Sequence, residues 1–381
     1  MGKVRLGDVL TFQRGYDLTH KQMNGGHVPV VGSSEIIGWH DVAKVKAPAL
    51  LVGRSGTVGR PQFYDMDIWA HNTTLFVSDF HGNNPKFCYY FLENLNLENY
   101  ANASGVPTLN RNFIHPLTVD FPKLPVQKRI SKALSLLDQK IELNNKINSE
   151  LEAVARKLYE YWFVQFEFPD EFGRPYKTNS GEMEWSEELK RNIPQNWEAK
   201  KLKDLFEFEK GTEVGAKAYS EIQHKDFIKF YRVADIDGDS QTFINSAISA
   251  LNLAKASDIV VTFDGSVGKI GLGLNGAISS GLRKVYDKSC KIDNSVIWQI
   301  FLDPRIKATI EQYATGSILL HASRAIDYLS IPYDENIILK FQDLIKPIFA
   351  QYVANKQESA ELAQLRDFLL PMLMNGQISV K

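Results

Sequence analysis

The sequence predicts a duplicated α/β (α+β) chain: two globules joined by two long helices that form an antiparallel coiled coil with pseudo-two-fold symmetry. Three observations carry this expectation. The first is a repeat at a spacing of about 211 residues, in which the run from Asn144 to Leu151 (NNKINSEL) is echoed from Asn355 to Leu362 (NKQESAEL). At the same offset Ser104-Gly105 matches Thr315-Gly316, Ile130 matches Phe341, Leu137 matches Ile348 and Leu158 matches Leu369. The second is that each copy ends in a long stretch whose apolar residues follow 4-3 spacing. The third is that each stretch is preceded by short β-rich runs punctuated by Gly, Pro and Asn. A repeat this long marks domain-sized copies, since solenoid periods run to roughly 20–50 residues.

The bulk numbers agree. A chain of 381 residues has room for two or three domains with cores of their own. Charge at 23% and ordinary apolar content describe a globular chain. The opening Met1-Gly2-Lys3-Val4-Arg5 does not read as a signal peptide, and no apolar run reaches the ~18 residues of a membrane span. Cys88 and Cys290 stand alone without CxxC spacing, which fits a reducing compartment and excludes a cysteine-based zinc module. The expected location is the cytoplasm, away from membranes.

The first globule spans 1–123, with β-rich runs at Val28–Val31, Ala49–Val52 and Thr73–Val77. Pro122 and Pro125 close it, and a helical pattern follows over 124–163. Its seam is Ile130, Leu134, Leu137, Ile141, Leu151, Leu158 and Trp162, interrupted by Asn144 and Asn148. The segment 164–195 is polar and holds Phe168-Pro169, Gly173-Arg174-Pro175 and Asn179-Ser180-Gly181, so it reads as a linker. The second globule spans 196–335 and the second helix 336–375, with Phe341, Ile345, Ile348, Tyr352, Leu362, Leu369 and Leu373 on one seam.

Helices of this length run to roughly 60 Å at 1.5 Å per residue, and an apolar seam that long needs a partner. The other copy's helix is the expected one, with folding back onto the helix's own globule as the alternative. Asn144 and Asn355 fall near the helix centres, where a polar residue in a seam fixes register at some cost in stability.

Taken in order, these features resemble the specificity (S) subunit of a type I restriction–modification system. The resemblance rests on the repeat openings Leu6-Gly7-Asp8-Val9 with Gly15 and Leu202-Lys203-Asp204-Leu205 with Gly211. It rests also on Gly53-Arg54-Ser55-Gly56-Thr57-Val58-Gly59, echoed by Phe263-Asp264-Gly265-Ser266-Val267-Gly268. Phe121-Pro122-Lys123-Leu124-Pro125 with Gln127, and the helix ending in Tyr161-Trp162-Phe163, complete it. The second copy departs at Ile331-Pro332-Tyr333-Asp334-Glu335, which lacks the second Pro and the Gln. The resemblance implies that the globules are target recognition domains, each reading half of a bipartite site in double-stranded DNA. It implies that the helices are a ruler and a platform for methyltransferase (M) subunits, two by expectation, and that restriction (R) motor–nuclease subunits join through the complex. A 60 Å ruler matches about 17 base pairs at 3.4 Å each.

Base reading uses Arg or Lys forks on guanine and Asn or Gln amides on adenine. Candidates in the first copy are Arg14, Tyr16, Ser33, Ser34, Arg54, Arg60, Asn72, Asn110 and Arg111. In the second they are Lys217, Tyr219, Arg232, Lys269, Arg283, His321, Ser323 and Arg324. The segments around Gly105–Arg111 and Gly316–Arg324 precede the helices at matching positions. The glycine-rich runs lack the phosphate-loop pattern; a structural hairpin and a DNA-facing loop are the two readings. Tyr159, Tyr161, Trp162 and Phe163 are either a docking surface for partner subunits or a helix end buried against a globule. His27, His71 and His115 lack metal-ligand spacing.

Net charge of −1 gives weak support for nucleic-acid binding, so local patches or partners must supply phosphate contacts. Pro169-Asp170 with Glu188-Leu189-Lys190 formally fits a PD…ExK nuclease pattern, but lies in the polar linker without strand alternation. Asn84-Pro85-Lys86-Phe87 is a poor match to a methyltransferase tetrapeptide. No cofactor, metal or catalytic residue is expected. The rival to a non-catalytic DNA reader is a protein–protein scaffold with two similar heads on a helical spacer.

Overall fold

The computed structural model describes residues 2–102, 107–316 and 320–380. The matches Ser104-Gly105, and the parts of the pre-helix segments at 105–106 and 317–319, lie outside the described residues. The chain divides into two compact units, Met1–Lys140 with Leu362–Lys381, and Ile141–Glu361. Each unit thus holds one globule together with a part of both long helices.

In the first unit an antiparallel sheet has the order Thr11–Arg14, Thr74–Asp79, Ala49–Gly53, Pro61–Tyr64. Its central run Ala49–Gly53 is buried throughout, which is why it reads as continuous apolar sequence. A second sheet joins Val28–Val31 antiparallel to Ile36–His40 and parallel to Trp69–Ala70. Gly2–Arg5 pairs with Thr118–Phe121 and brings the two ends of the globule together. The helix Pro85–Leu95 lies in the same core, capped by Asn84, whose Oδ1 accepts the Phe87 N–H at 2.8 Å. Asn84-Pro85-Lys86-Phe87 is therefore a helix start with Pro at the first turn, where a missing N–H costs nothing.

The second unit repeats this plan. Its first sheet has the order Phe206–Lys210, Leu282–Asp287, Ile259–Thr262, Ile270–Gly271. Its second again contains one parallel pair, Phe227–Tyr231 with Gly276–Ile278. Glu198–Lys201 pairs with Ser330–Tyr333 as Gly2–Arg5 pairs with Thr118–Phe121. Close backbone approach explains the shared glycine near each repeat opening. A Cβ on Gly15 would lie 2.0 Å from the His71 carbonyl, and one on Gly211 would lie 2.1 Å from that of Ser279.

The segment 164–195 is more ordered than its polar composition suggests. Met183–Ser186 and Arg191–Pro194 form a hairpin, and Phe166, Phe168 and Ile193 enter the core of the second unit. Arg191 donates to the Phe163 carbonyl at 2.7 Å, where the first long helix ends in a π turn, so a cation meets the negative end of the helix.

The long helices are Leu124–Tyr159 and Glu335–Met374, of 36 and 40 residues. Gln127 fixes the first to its globule: its Oε1 accepts the Asn84 N–H at 2.9 Å, and its Nε2 donates to Pro122 and Asn83 at 2.8 Å. The second copy does the same job from one turn further along. Gln342 Oε1 accepts the N–H of Asp293, the cap of the helix Asn294–Leu302, at 2.6 Å. The glutamine lacking at the second helix start is thus displaced within the helix.

Asn144 and Asn355 are both buried in the seam between the helices. Each pairs with the residue four positions beyond the other. Asn355 Nδ2 donates to Asn148 Oδ1 at 2.9 Å, and Asn144 Nδ2 donates to Ser359 Oγ at 3.3 Å and to Glu358 at 2.8 Å. The offset that takes Asn144 to Asn355 takes Asn148 to Ser359, so the two contacts exchange under the repeat. The contact order is antiparallel, and Asn148 also donates to the Tyr352 carbonyl at 3.1 Å. Asn355→Leu alone strands the buried Asn148, and urea unfolding is expected to show a loss of about 1–3 kcal/mol. Adding Asn148→Leu should recover most of that loss; a double variant as unstable as the single would contradict the pairing.

Candidate nucleic-acid interface

Each globule carries the same glycine loop. In the first, Gly53 N–H donates to the Arg60 carbonyl at 3.2 Å and Gly59 N–H to the Gly53 carbonyl at 2.8 Å. In the second, Thr262 N–H donates to Lys269 at 2.9 Å and Gly268 N–H to Thr262 at 2.9 Å. Gly56 and Gly59 have φ of +86° and +80°, and Gly265 and Gly268 have +68° and +76°, a region that favours glycine. The loops are structural turns, and their closing residues are Arg60 and Lys269.

The segment before each long helix is laid against this loop. Leu109 N–H donates to the Arg54 carbonyl at 2.8 Å, as Ala322 N–H donates to Phe263 at 2.8 Å. Thr108 bridges Ser55 where His321 bridges Asp264. Asn110 and Arg111 therefore correspond to Ser323 and Arg324, and each pair is exposed. Asn110 also caps the short helix Arg111–Ile114, accepting the Asn112 N–H at 3.0 Å. His321 Nδ1 lies 2.7 Å from Asp264.

Further candidates gather beside the first loop. A Cβ on Gly56 would lie 3.0 Å from Ser33 Oγ, and the exposed Ser34 follows in the same turn. Arg54 reaches the Asn72 carbonyl at 3.5 Å, Asn72 donates to Asp17, and Asp17 pairs with Arg14 at 3.3 Å. Tyr16 is held inward instead, with ring centroids 5.8 Å from Phe76 and 6.2 Å from Trp69. In the second copy Lys217 is exposed on the turn Ala216–Ala218. Tyr219 packs on Phe230 and donates to the Val214 carbonyl at 3.0 Å, and Arg232 lies over its ring while pairing with Asp235.

Two expectations need correction. Arg283 is only 7% exposed. Its Nη1 donates to the Ser280 carbonyl at 2.7 Å and its Nη2 to Ser323 Oγ at 3.0 Å, so it positions the loop and does not offer a free fork. Its burial holds the guanidinium below its usual range. Tyr159, Trp162 and Phe163 are buried around Phe341, leaving Tyr161 as the exposed member at 39%. The apolar face that is exposed on the first long helix is Leu143, Ile147 and Val154, continued by Tyr161.

His115, which lacks metal-ligand spacing in the sequence, has a structural place. Its Nε2 accepts the Phe12 N–H at 3.0 Å, and burial beside Arg111 lowers its pKa, keeping the ring neutral. The PD…ExK match is a pair of turns: Asp170 accepts the Phe172 and Arg174 N–H groups at 2.8 Å each, and Lys190 pairs with Glu187 at 2.9 Å. Among the described residues no group of three or more His, Cys, Asp or Glu could hold a metal ion, and no helix is long and apolar enough to cross a membrane.

Comparison with known proteins places these features in context. The family model described as "Type I restriction modification DNA specificity domain" matches residues 1–153. The MjaIX type I restriction enzyme specificity subunit of Methanocaldococcus jannaschii is 24% identical over 78% of this chain and 69% of its own. The HindI specificity subunit of Haemophilus influenzae is 23% identical over 82% of each chain. The crystal structure of a type I restriction–modification S subunit from M. genitalium shares the fold, with a TM-score of 0.62, 15% identity and coverage of 98% of this chain and 95% of that one.

Proposed function

We propose that the chain is a DNA specificity subunit of a type I restriction–modification system, and that its two globules read the two halves of a bipartite, asymmetric site in double-stranded DNA. The subunit is non-catalytic; it directs methyltransferase and restriction subunits to the site. The observation that carries this reading is the duplication of one surface. Each copy closes its glycine loop with a cation (Arg60, Lys269) and carries an exposed polar–arginine pair (Asn110-Arg111, Ser323-Arg324) in the segment bonded to that loop. Guanidinium forks and amides are the groups that read base edges, and side chains differing between the copies suit two different half-sites.

The subunit assembles with other subunits of the system. The proposed docking surface for two M subunits is the exposed side of the long helices, with Leu143, Ile147, Val154 and Tyr161 as apolar anchors. R subunits join through that complex, and the cytoplasm is the compartment where DNA and these partners meet. Asn144 and Asn355 are proposed to set the register of the helix pair.

Salt dependence tests the reading against the protein–protein scaffold. For a contact to Z phosphates, log K falls with log[salt] at a slope of about −0.9Z. A duplex-binding titration of the full chain is expected to give a slope of several units. Duplex affinity that does not move with salt, or is absent with and without M subunits, would favour the scaffold.

A further inference from the structure

The second globule carries an acidic turn where the first has Gly32-Ser33-Ser34-Glu35. The equivalent bonds His71 N–H to Val31 and Ser279 N–H to Tyr231, both 2.9 Å, align that stretch with Arg232-Val233-Ala234-Asp235. Beyond it the second copy adds Asp237 and Asp239. Asp235 is built into the turn, accepting the Arg232 N–H at 2.9 Å and Nε–H at 3.2 Å. Asp239 is anchored too, accepting the Tyr231 hydroxyl at 3.1 Å and pairing with Lys229.

Asp237 is different. It stands at the tip before Gly238, its side chain is 66% exposed, and its carboxylate pairs with Lys269 at the end of the glycine loop. Lys269 is the counterpart of Arg60, which forms no such ion pair among the described residues but lies within electrostatic reach of Glu93. Resting on the reading of the glycine loop as DNA-facing, we propose that Asp237 is an electrostatic gate on Lys269. An exposed ion pair adds little to stability, so the effect of Asp237 falls on charge. A cation already neutralised by a carboxylate gains little from a passing phosphate, because phosphate must first displace the carboxylate. The second reader is thereby quiet toward non-specific duplex, and Lys269 is released only where the other contacts of a correct site hold the DNA in place.

The test uses the full chain and a duplex of random sequence, titrated with salt. Asp237→Asn is expected to steepen the slope of log K against log[salt] by about 0.9, so that affinity falls about 3.5-fold more than wild type between 50 and 200 mM salt. Lys269→Gln in that background should cancel the increase, whereas Arg60→Gln in the wild type should reduce the slope by about 0.9. If Arg60→Gln lowers the slope but Asp237→Asn leaves it unchanged, the gate is refuted and the DNA reading stands. If the wild type shows no salt-dependent duplex binding at all, the DNA reading fails and the gate fails with it.

Discussion

Deleting one heptad from each long helix is expected to shorten the accepted gap between half-sites by about three base pairs. Seven residues at 1.5 Å each remove about 10.5 Å, against 3.4 Å per base pair. A heptad is the proper unit because it returns the seam to nearly the same face, while a four-residue deletion would turn apolar positions outward. The asparagine contacts limit where the cut can fall: Asn144, Asn148, Asn355 and Ser359 must all be retained. The readout is methylation of a duplex series with graded gaps by the shortened chain in complex with its M subunit. A gap optimum that stays where it was would refute the proposed ruler while leaving the readers intact.

The second large effect is expected at Phe341. This fully buried ring meets Tyr159, Trp162 and Phe163 at centroid distances of 6.0, 5.5 and 5.1 Å, the last at a right angle. Phe163 in turn meets Trp197, 5.9 Å away at the start of the second globule. One ring therefore joins the end of the first long helix, the start of the second and the globule core. Phe341→Ala leaves a cavity lined by aromatic groups that cannot easily collapse, and a loss of about 3–5 kcal/mol is expected. Urea unfolding followed by tryptophan fluorescence reports it directly, since Trp162 and Trp197 lie in this cluster. A loss below about 1 kcal/mol would mean that the helix ends do not pack as described.

The repeat made much of this architecture legible. The helix starts Leu124 and Glu335 lie at the repeat offset, and the apolar 4-3 pattern announced both helices. The glycine loops were visible as an echo because their left-handed backbone needs glycine at two fixed positions. What remained hidden depended on contacts distant in sequence. An aromatic run such as Tyr159–Phe163 has the same composition whether it faces a partner or a core, and only Phe341 and Trp197 decide it. Arg283 reads as a surface cation until the carbonyl of Ser280 and the hydroxyl of Ser323 close around it. The hairpin in 164–195 is hard to read because its strands are only four residues each, so neither a long alternation nor an apolar run marks them. Asn144 and Asn355 lie buried in the seam, but their partners are Ser359 and Asn148, one turn away from a direct pairing.

The most direct measurement is to bind the full chain to its methyltransferase subunit, methylate a random duplex pool, and sequence the modified sites. The account predicts a split motif: two short, different half-sites at one fixed gap, with the second half-site relaxed by Arg324→Ala and the first by Arg111→Ala. Methylation spread over the pool without sequence preference, despite a stable complex, would contradict it.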